Sequence, residues 1–249
     1  NLKGTKVSIV NNDINIGADG LNSKIRRWSG LEGPPQKLKR WGARQHCQSK
    51  PWREYLEVHW KDGVEAYVIP CGENLVEIAF QWERDRFKDV AGGRVLIQSL
   101  LKSFPELQDR VAACESNDDA KAVGPLSRAA TSPVSDGILL IGDASGYLGA
   151  ITGEGISLAT RQTFALGETV GPLLLNSDVN MPTSADLQDY RKAYQEIVRP
   201  YYILTSRVLF LTRHPALANR GLSSAPVSSG CVSVIVVDQN LQLATDFRD

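Results

Sequence analysis

Cysteine, histidine and methionine are all scarce in this sequence. Cys47, Cys71, Cys114 and Cys231 lie far apart and form no C-x-x-C pair, which argues against a zinc site and fits reduced thiols in a cytoplasmic protein. His46, His59 and His214 show no ligand spacing, so no metal centre is expected. Met181 is the only methionine and residue 1 is Asn; the expectation is that residue 1 is not the start of a complete product. Net charge is absent too, since 28 basic residues balance 28 acidic ones. That composition argues against nucleic acid or an anionic membrane as the partner and favours small-molecule chemistry. Long apolar runs are missing: residues 197–212 carry Arg199, Pro200 and Arg207, so no spanning helix is expected, and no signal peptide is visible in the opening Asn1-Leu2-Lys3-Gly4, which lacks a long apolar run. No G-x-G-x-x-G occurs anywhere, so the usual dinucleotide phosphate turn is lacking. No Ser-His-Asp or paired-acid arrangement is visible, and no internal repeat or low-complexity block.

What is present centres on Leu139-Leu140-Ile141-Gly142-Asp143-Ala144-Ser145-Gly146 and, after a short gap, Thr152-Gly153-Glu154-Gly155-Ile156. The apolar run Ile138 to Ile141 reads as a buried parallel strand; the second glycine pair opens a helix of roughly fifteen residues. A carboxylate at a strand's carboxyl end can accept from sugar-type hydroxyls. Free N–H groups and the positive end of a helix suit an anion. The pair fits a ligand carrying both. A plain strand-turn-helix connection uses the same residues and is the competing reading.

Along the chain, Lys6 to Val10 and Ile14 to Ile16 read as short strands. The second runs into Asp19-Gly20-Leu21-Asn22-Ser23, an acid–glycine turn before a helix capped at Asn22 or Ser23. From Trp41 the texture changes to four β-rich runs, Trp41 to Gln48, Tyr55 to Lys61, Val64 to Pro70 and Leu75 to Glu83. Glu57, His59 and Lys61 alternate with Leu56, Val58 and Trp60, as in a half-buried strand, and Asp62-Gly63 supplies a tight hairpin. An antiparallel sheet follows. Trp41, Trp60, Tyr67 and Trp82 are candidate liners of a substrate cavity, with ordinary core packing as the alternative for each. Val90 to Phe104 and Pro105 to Cys114 read as helices, Ala120 to Ala130 as a returning strand. Residues 186–212 read as a helix interrupted near Pro200. Gly221 to Gly230 reads as a linker, Cys231 to Val237 as an added strand, and the rest as a polar tail.

Taken in order around the β-rich stretch, the two motifs are more specific than either alone. Asp19-Gly20-x-x-Ser23-x-x-Arg26 resembles the D-G motif of FAD-dependent aromatic hydroxylases and related monooxygenases. Gly142-Asp143-Ala144-Ser145-Gly146 through Gly153-Glu154-Gly155-Ile156 resembles their G-D motif, and its Thr-Gly-Glu-Gly-Ile ending is similar to the geranylgeranyl-reductase branch. The resemblance spans about residues 5–215.

The resemblance implies that Gly142 belongs to the cofactor site, that Asp143 binds the ribityl chain of FAD, and that Gly153, Glu154, Gly155 and Ile156 face the pyrophosphate and the pyrimidine edge of the flavin. Asp19 and Gly20 match residues near the diphosphate. Arg26 matches an arginine that in some members assists nicotinamide-cofactor docking, with a surface ion pair as the competing reading. Two departures stand out. Ala150 replaces a proline, which would loosen the turn, and the G-x-G-x-x-G unit with its following acid is missing. The implied fold is α/β with an α+β insertion: a partial FAD/NAD(P)-binding, Rossmann-like domain (1–37 and 131–220, with C-terminal helices), an antiparallel substrate domain (38–130), and a linker and tail (221–249). The implied activity is that of an FAD-dependent oxidoreductase of the monooxygenase type, NAD(P)H-reduced and acting on an apolar or aromatic small molecule. The alternatives are an isoprenoid alkene reductase and a non-catalytic binding fragment. Half a FAD site invites a completing chain or a homodimer.

Overall fold

The computed structural model describes residues 14–36, 39–61, 63–84, 94–112, 114–116, 119–175 and 181–213. The expected strand at 6–10, the start of the helix expected from Val90, and the linker, strand and tail expected beyond 220 lie outside these. In chain order the elements are β1 (Asn15–Gly17), α1 (Lys24–Trp28), β2 (Arg40–Gln48), β3 (Glu57–Lys61), β4 (Val64–Gly72), β5 (Leu75–Glu83), α2 (Arg94–Leu101), α3 (Pro105–Ala112), β6 (Glu115–Ser116), β7 (Lys121–Val123), β8 (Arg128–Ala129), β9 (Val134–Ser135), β10 (Ile138–Leu140), β11 (Gly146–Tyr147), α4 (Gly155–Leu175) and α5 (Gln188–Arg213). The chain divides into two compact units, Asn1–Lys37 with Ser127–Ser206, and Leu38–Leu126 with Arg207–Asp249.

In the first unit β1 pairs in parallel with β10, Asn15 opposite Ile138 and Gly17 opposite Leu140. Strand β9 adds antiparallel on the other side of β10, and β8 pairs with β11. Leu139 and Leu140 are fully buried, as an apolar run in a covered strand requires. Leu139 shares a cluster with Leu158 and Ala165 of α4 and Tyr190, Tyr194, Ile197, Val198 and Tyr201 of α5. Pro200 does not interrupt α5, contrary to expectation. Arg199 and Pro200 are exposed while Ile197, Val198 and Tyr201 are buried, so the missing N–H falls on the solvent side and the packed stripe carries the helix through.

In the second unit the sheet order is β3-β4-β5-β2-β6, with β7 also on β2. The hairpin at Gly63 has its expected form: Lys61 faces Val64, and Gly63 has a φ of 75°. The return strand expected over 120–130 is instead two pieces, because Gly124 and Pro125 break it and a proline cannot donate to a ladder.

One face of this sheet meets α2 and α3 through Ala43, Val64, Ala66, Val68, Ile78, Phe80, Leu96, Ile97, Leu100 and Phe104. Strand β3 is not half-exposed: Glu57, Val58, His59 and Trp60 are all buried. Period two separates the faces but does not say which of them is covered. Here Glu57 and His59 lie against α3, where Glu57 accepts from Arg110 at 3.4 Å and lies 3.3 Å from His59. His59 meets the Phe104 ring edge-on. The buried carboxylate is tolerated because it is paired.

Gly124 gives a packing test. A Cβ built there would overlap the Trp41 ring, so Gly124→Ala must displace that ring. The expected cost is about 1–3 kcal/mol, as for other overpacked sites, read as a lowered urea midpoint with an unchanged slope. A midpoint equal to that of the parent chain would show that the ring yields freely.

Candidate functional site

Strand β10 ends at Leu140, and the chain turns through Gly142 at a φ of 58°, a left-handed conformation that favours glycine. Gln162 of α4 accepts from the Gly142 N–H at 2.7 Å, and Ser145 Oγ donates to the Gly142 carbonyl at 2.7 Å. Asp143 then projects into a cleft of about 480 Å³ whose walls include Ala18, Gly20, Tyr147, Gly153, Gly155 and Ile156. A Cβ at Gly20, Gly153 or Gly155 would meet open space, so the glycines leave backbone facing the cleft.

No described residue donates a hydrogen bond to the Asp143 carboxylate, and burial pushes its pKa above the usual carboxylate range. A desolvated acid without donors is disposed to take hydroxyl or amide donors from a ligand. Helix α4 begins at Gly155, so its first N–H groups have no intrahelical partner and carry the positive end of the helix dipole. The turn leading into it is closed by the Gly153 N–H donating to the Ala150 carbonyl at 2.9 Å. The turn expected to loosen at Ala150 is therefore closed in the structure. Just before the helix, Thr152 Oγ1 and Glu154 Oε2 are buried without a hydrogen-bond partner; both are orphaned polar atoms beside the cleft.

Of the nine residues that the resemblance places at the cofactor, Gly20, Gly142, Asp143, Gly153, Gly155 and Ile156 line one cleft. Three take other positions. Asp19 Oδ2 accepts from the N–H groups of Lys24 and Ile25 at 2.6 and 3.2 Å, capping α1. Burial pushes its pKa up, but the Ser23 hydroxyl and these N–H donors outweigh that and hold it low. Glu154 flanks the cleft without lining it. Arg26 is neither in the cleft nor on the surface. It is 1% exposed and stands behind the Asp143 loop, donating from Nη1 to the carbonyls of Asp143 and Ala144 at 3.3 and 2.9 Å, from Nη2 to Leu21 at 2.9 Å and from Nε to Glu32 at 2.9 Å. Its role is that of a staple. The three carbonyls it satisfies would otherwise be short of donors.

A second set of staples comes from α5, where the sequence offered only a helix. Tyr190 donates to the Leu140 carbonyl at 3.0 Å, Tyr194 to Ser145 at 3.2 Å and Tyr201 to Gly149 at 2.8 Å. Burial raises all three phenols above their ordinary range, so they remain neutral donors. Their helical spacing places them on one face, a signal the sequence held; that this face meets the loop's carbonyls is visible only in three dimensions.

The four aromatic candidates of the second unit are divided between opposite faces of its sheet. Trp41 pairs with Trp82, and both join the core against α2 and α3. Trp60 and Tyr67 sit on the other face with Val58. Their registers differ by an odd number of residues, so they cannot line one cavity. Among the described residues no cluster could hold a metal ion, and no helix is long and apolar enough to cross a membrane.

No family model matches the sequence. The chain is similar to the digeranylgeranylglycerophospholipid reductase of Methanothrix thermoacetophila, 26% identical over 195 residues, which covers 75% of this chain and 46% of that protein. It is also similar to the 3-demethoxyubiquinol 3-hydroxylase of Escherichia coli, 26% identical over 175 residues, covering 66% of this chain and 41% of that one. Among solved structures, a flavoprotein/dehydrogenase from Cytophaga hutchinsonii superposes with a TM-score of 0.68 at 19% identity, over 82% of this chain and 50% of the other. The chain thus spans about half the length, or less, of the relatives it matches. In sequence the chain is similar to digeranylgeranylglycerophospholipid reductases and to a ubiquinol hydroxylase, and its mixed α/β fold with an antiparallel sheet is similar to that of a solved flavoprotein.

Proposed function

We propose that the Asp143 cleft holds the ribityl and isoalloxazine portion of FAD, and that the chain is part of a flavin-dependent oxidoreductase. The observation behind this reading is the donor-free, desolvated Asp143 carboxylate facing the open N-terminus of α4 across glycine-lined space. These residues fit the group. Asp143 would accept from ribityl hydroxyls, and the Gly155 end of α4 would offer N–H donors and a favourable field to the pyrimidine edge. When bound, the flavin supplies the electron transfer, with NAD(P)H as the proposed reductant and an apolar or aromatic small molecule as the proposed substrate. Arg26, Gln162 and the α5 tyrosines hold the backbone of residues 140–149 in place, so that Asp143 need not reorganise when ligand arrives. The Leu140 and Ala144 side of the loop is buried, which keeps water from its rear. Direct alkene reduction is a second reading, supported by the reductases among the relatives and the Thr-Gly-Glu-Gly-Ile turn. The adenosine half of the cofactor has no G-x-G-x-x-G in this sequence, so FAD affinity of this chain by itself is expected to be weak.

The test is a titration of the purified chain with FAD, followed by flavin fluorescence and the visible spectrum. Asp143→Ala is expected to weaken binding at least tenfold, about 1.4 kcal/mol. Because the folded Asp143 pKa lies above the ordinary value, affinity should begin to fall earlier on acidification than for an unperturbed aspartate, and the D143A chain should lose that dependence. Equal affinity of parent and variant would remove Asp143 from the site.

A further inference from the structure

A second recess in the first unit, which shares Tyr147 as a wall with the Asp143 cleft, has a volume of about 280 Å³. It lies between the β8–β11 pair and α5. Two cations line it, Arg128 from β8 and Arg191 from α5, with Gln195 one helical turn on from Arg191. No carboxylate lines it among the described residues. Arg128 Nε is buried with no hydrogen-bond partner, and the guanidinium's one described hydrogen bond runs from Nη2 to the amide oxygen of Asn22 at 3.3 Å. Arg191 makes no ion pair with any described residue. Arg128 and Arg191 are half-buried, whereas the two fully buried arginines among the described residues are paired, Arg26 with Glu32 and Arg40 with Glu65.

Two guanidinium groups brought to one concave site without a counter-charge repel each other, and a buried N–H without an acceptor costs further free energy. An oxyanion would relieve both at once. Guanidinium offers paired N–H donors that match tetrahedral phosphate oxygens, and Gln195 adds an amide donor. We propose that this recess is a phosphate-group site, formed by Arg128 and Arg191 and separate from the Asp143 cleft. The occupant is a compound bearing a phosphate group, either free in solution or at the head of a lipid.

The full chain is titrated with inorganic pyrophosphate by calorimetry at low salt, and separately sedimented with phosphatidylcholine vesicles with and without phosphatidic acid. Arg191→Gln and Arg128→Gln are compared with the parent, and far-UV circular dichroism checks that each variant is folded. Pyrophosphate binding weakened at least tenfold by either substitution, and unchanged by Asp143→Ala, supports the site with a free phosphate compound as its ligand. Phosphatidic-acid-dependent sedimentation lost in R191Q, without pyrophosphate binding, supports it with a lipid headgroup. Absence of both, or binding indifferent to both arginines, overturns it. Since FAD is not a component, these outcomes are independent of the flavin titration.

Discussion

Replacing Arg26 with alanine is expected to cost about 3–5 kcal/mol of folding stability, the range for removing one partner from a buried charged network. The side chain is 1% exposed and makes four hydrogen bonds, to Glu32 and to the carbonyls of Leu21, Asp143 and Ala144. Truncation leaves three carbonyls without that donor and opens a cavity of guanidinium size. Glu32 is 35% exposed, so water recovers part of the ion pair, and most of the loss comes from the carbonyls and the void. Arg26→Met separates the two, since it keeps much of the volume and none of the donors. It should recover only the cavity part. Arg26→Lys should behave nearly as poorly, because one ammonium cannot reach carbonyls on both sides of the loop and Glu32 together. Urea unfolding followed by circular dichroism measures all three. A loss below about 1 kcal/mol in R26A would show that the loop holds its shape without the staple.

The second large effect concerns Arg40 and Glu65, an ion pair in the other unit with both side chains almost wholly buried. Arg40→Ala strands Glu65 in a site that water does not reach and is expected to cost about 3–5 kcal/mol. Changing both together, R40M with E65L, should cost less than about 1 kcal/mol or even stabilise, because the attraction between buried charges only roughly offsets their desolvation. Arg40 Nε has no acceptor, so the offset is incomplete; without Glu65 the Tyr67 hydroxyl still accepts from Gln81 at 3.4 Å but loses Glu65 as an acceptor for its own O–H. The pH dependence follows from the same balance. Burial pushes the Glu65 carboxyl up, against the lowering influence of Arg40. A carboxyl raised in the folded state favours folding fully below its unfolded pKa, and that contribution is lost as pH rises through the folded value. Stability of the parent should therefore decline over that interval relative to the double variant, in which the group is absent. A double variant as unstable as R40A would show that the pair itself, rather than its desolvation, sets the balance.

Much of the architecture is legible in the sequence because its causes are local. Alternation and the turn signal at Gly63 define the hairpin of β3 and β4. An apolar run ending in Gly142-Asp143, followed by Gly153 and Gly155, defines a strand, a turn and a helix start. Six residues that the motif resemblance marked line one cleft. The departures share a cause of the opposite kind. The motif pattern places Arg26 at a ligand or in solvent, yet its acceptors at Asp143 and Ala144 are 117 and 118 residues away, and no short-range pattern encodes that meeting.

By itself, then, the sequence determined which segments extend, which coil, and where an acid stands between a strand end and a helix start, because backbone sterics and hydrogen bonding within a few residues decide these. Only the tertiary structure decided that Glu57 and His59 are buried, that Trp41 and Trp60 take opposite faces, and that Arg26 and three tyrosines hold the Asp143 loop from behind. Burial and polar pairing depend on what arrives from distant parts of the chain, and a buried donor or acceptor is stable only where that distant partner completes it.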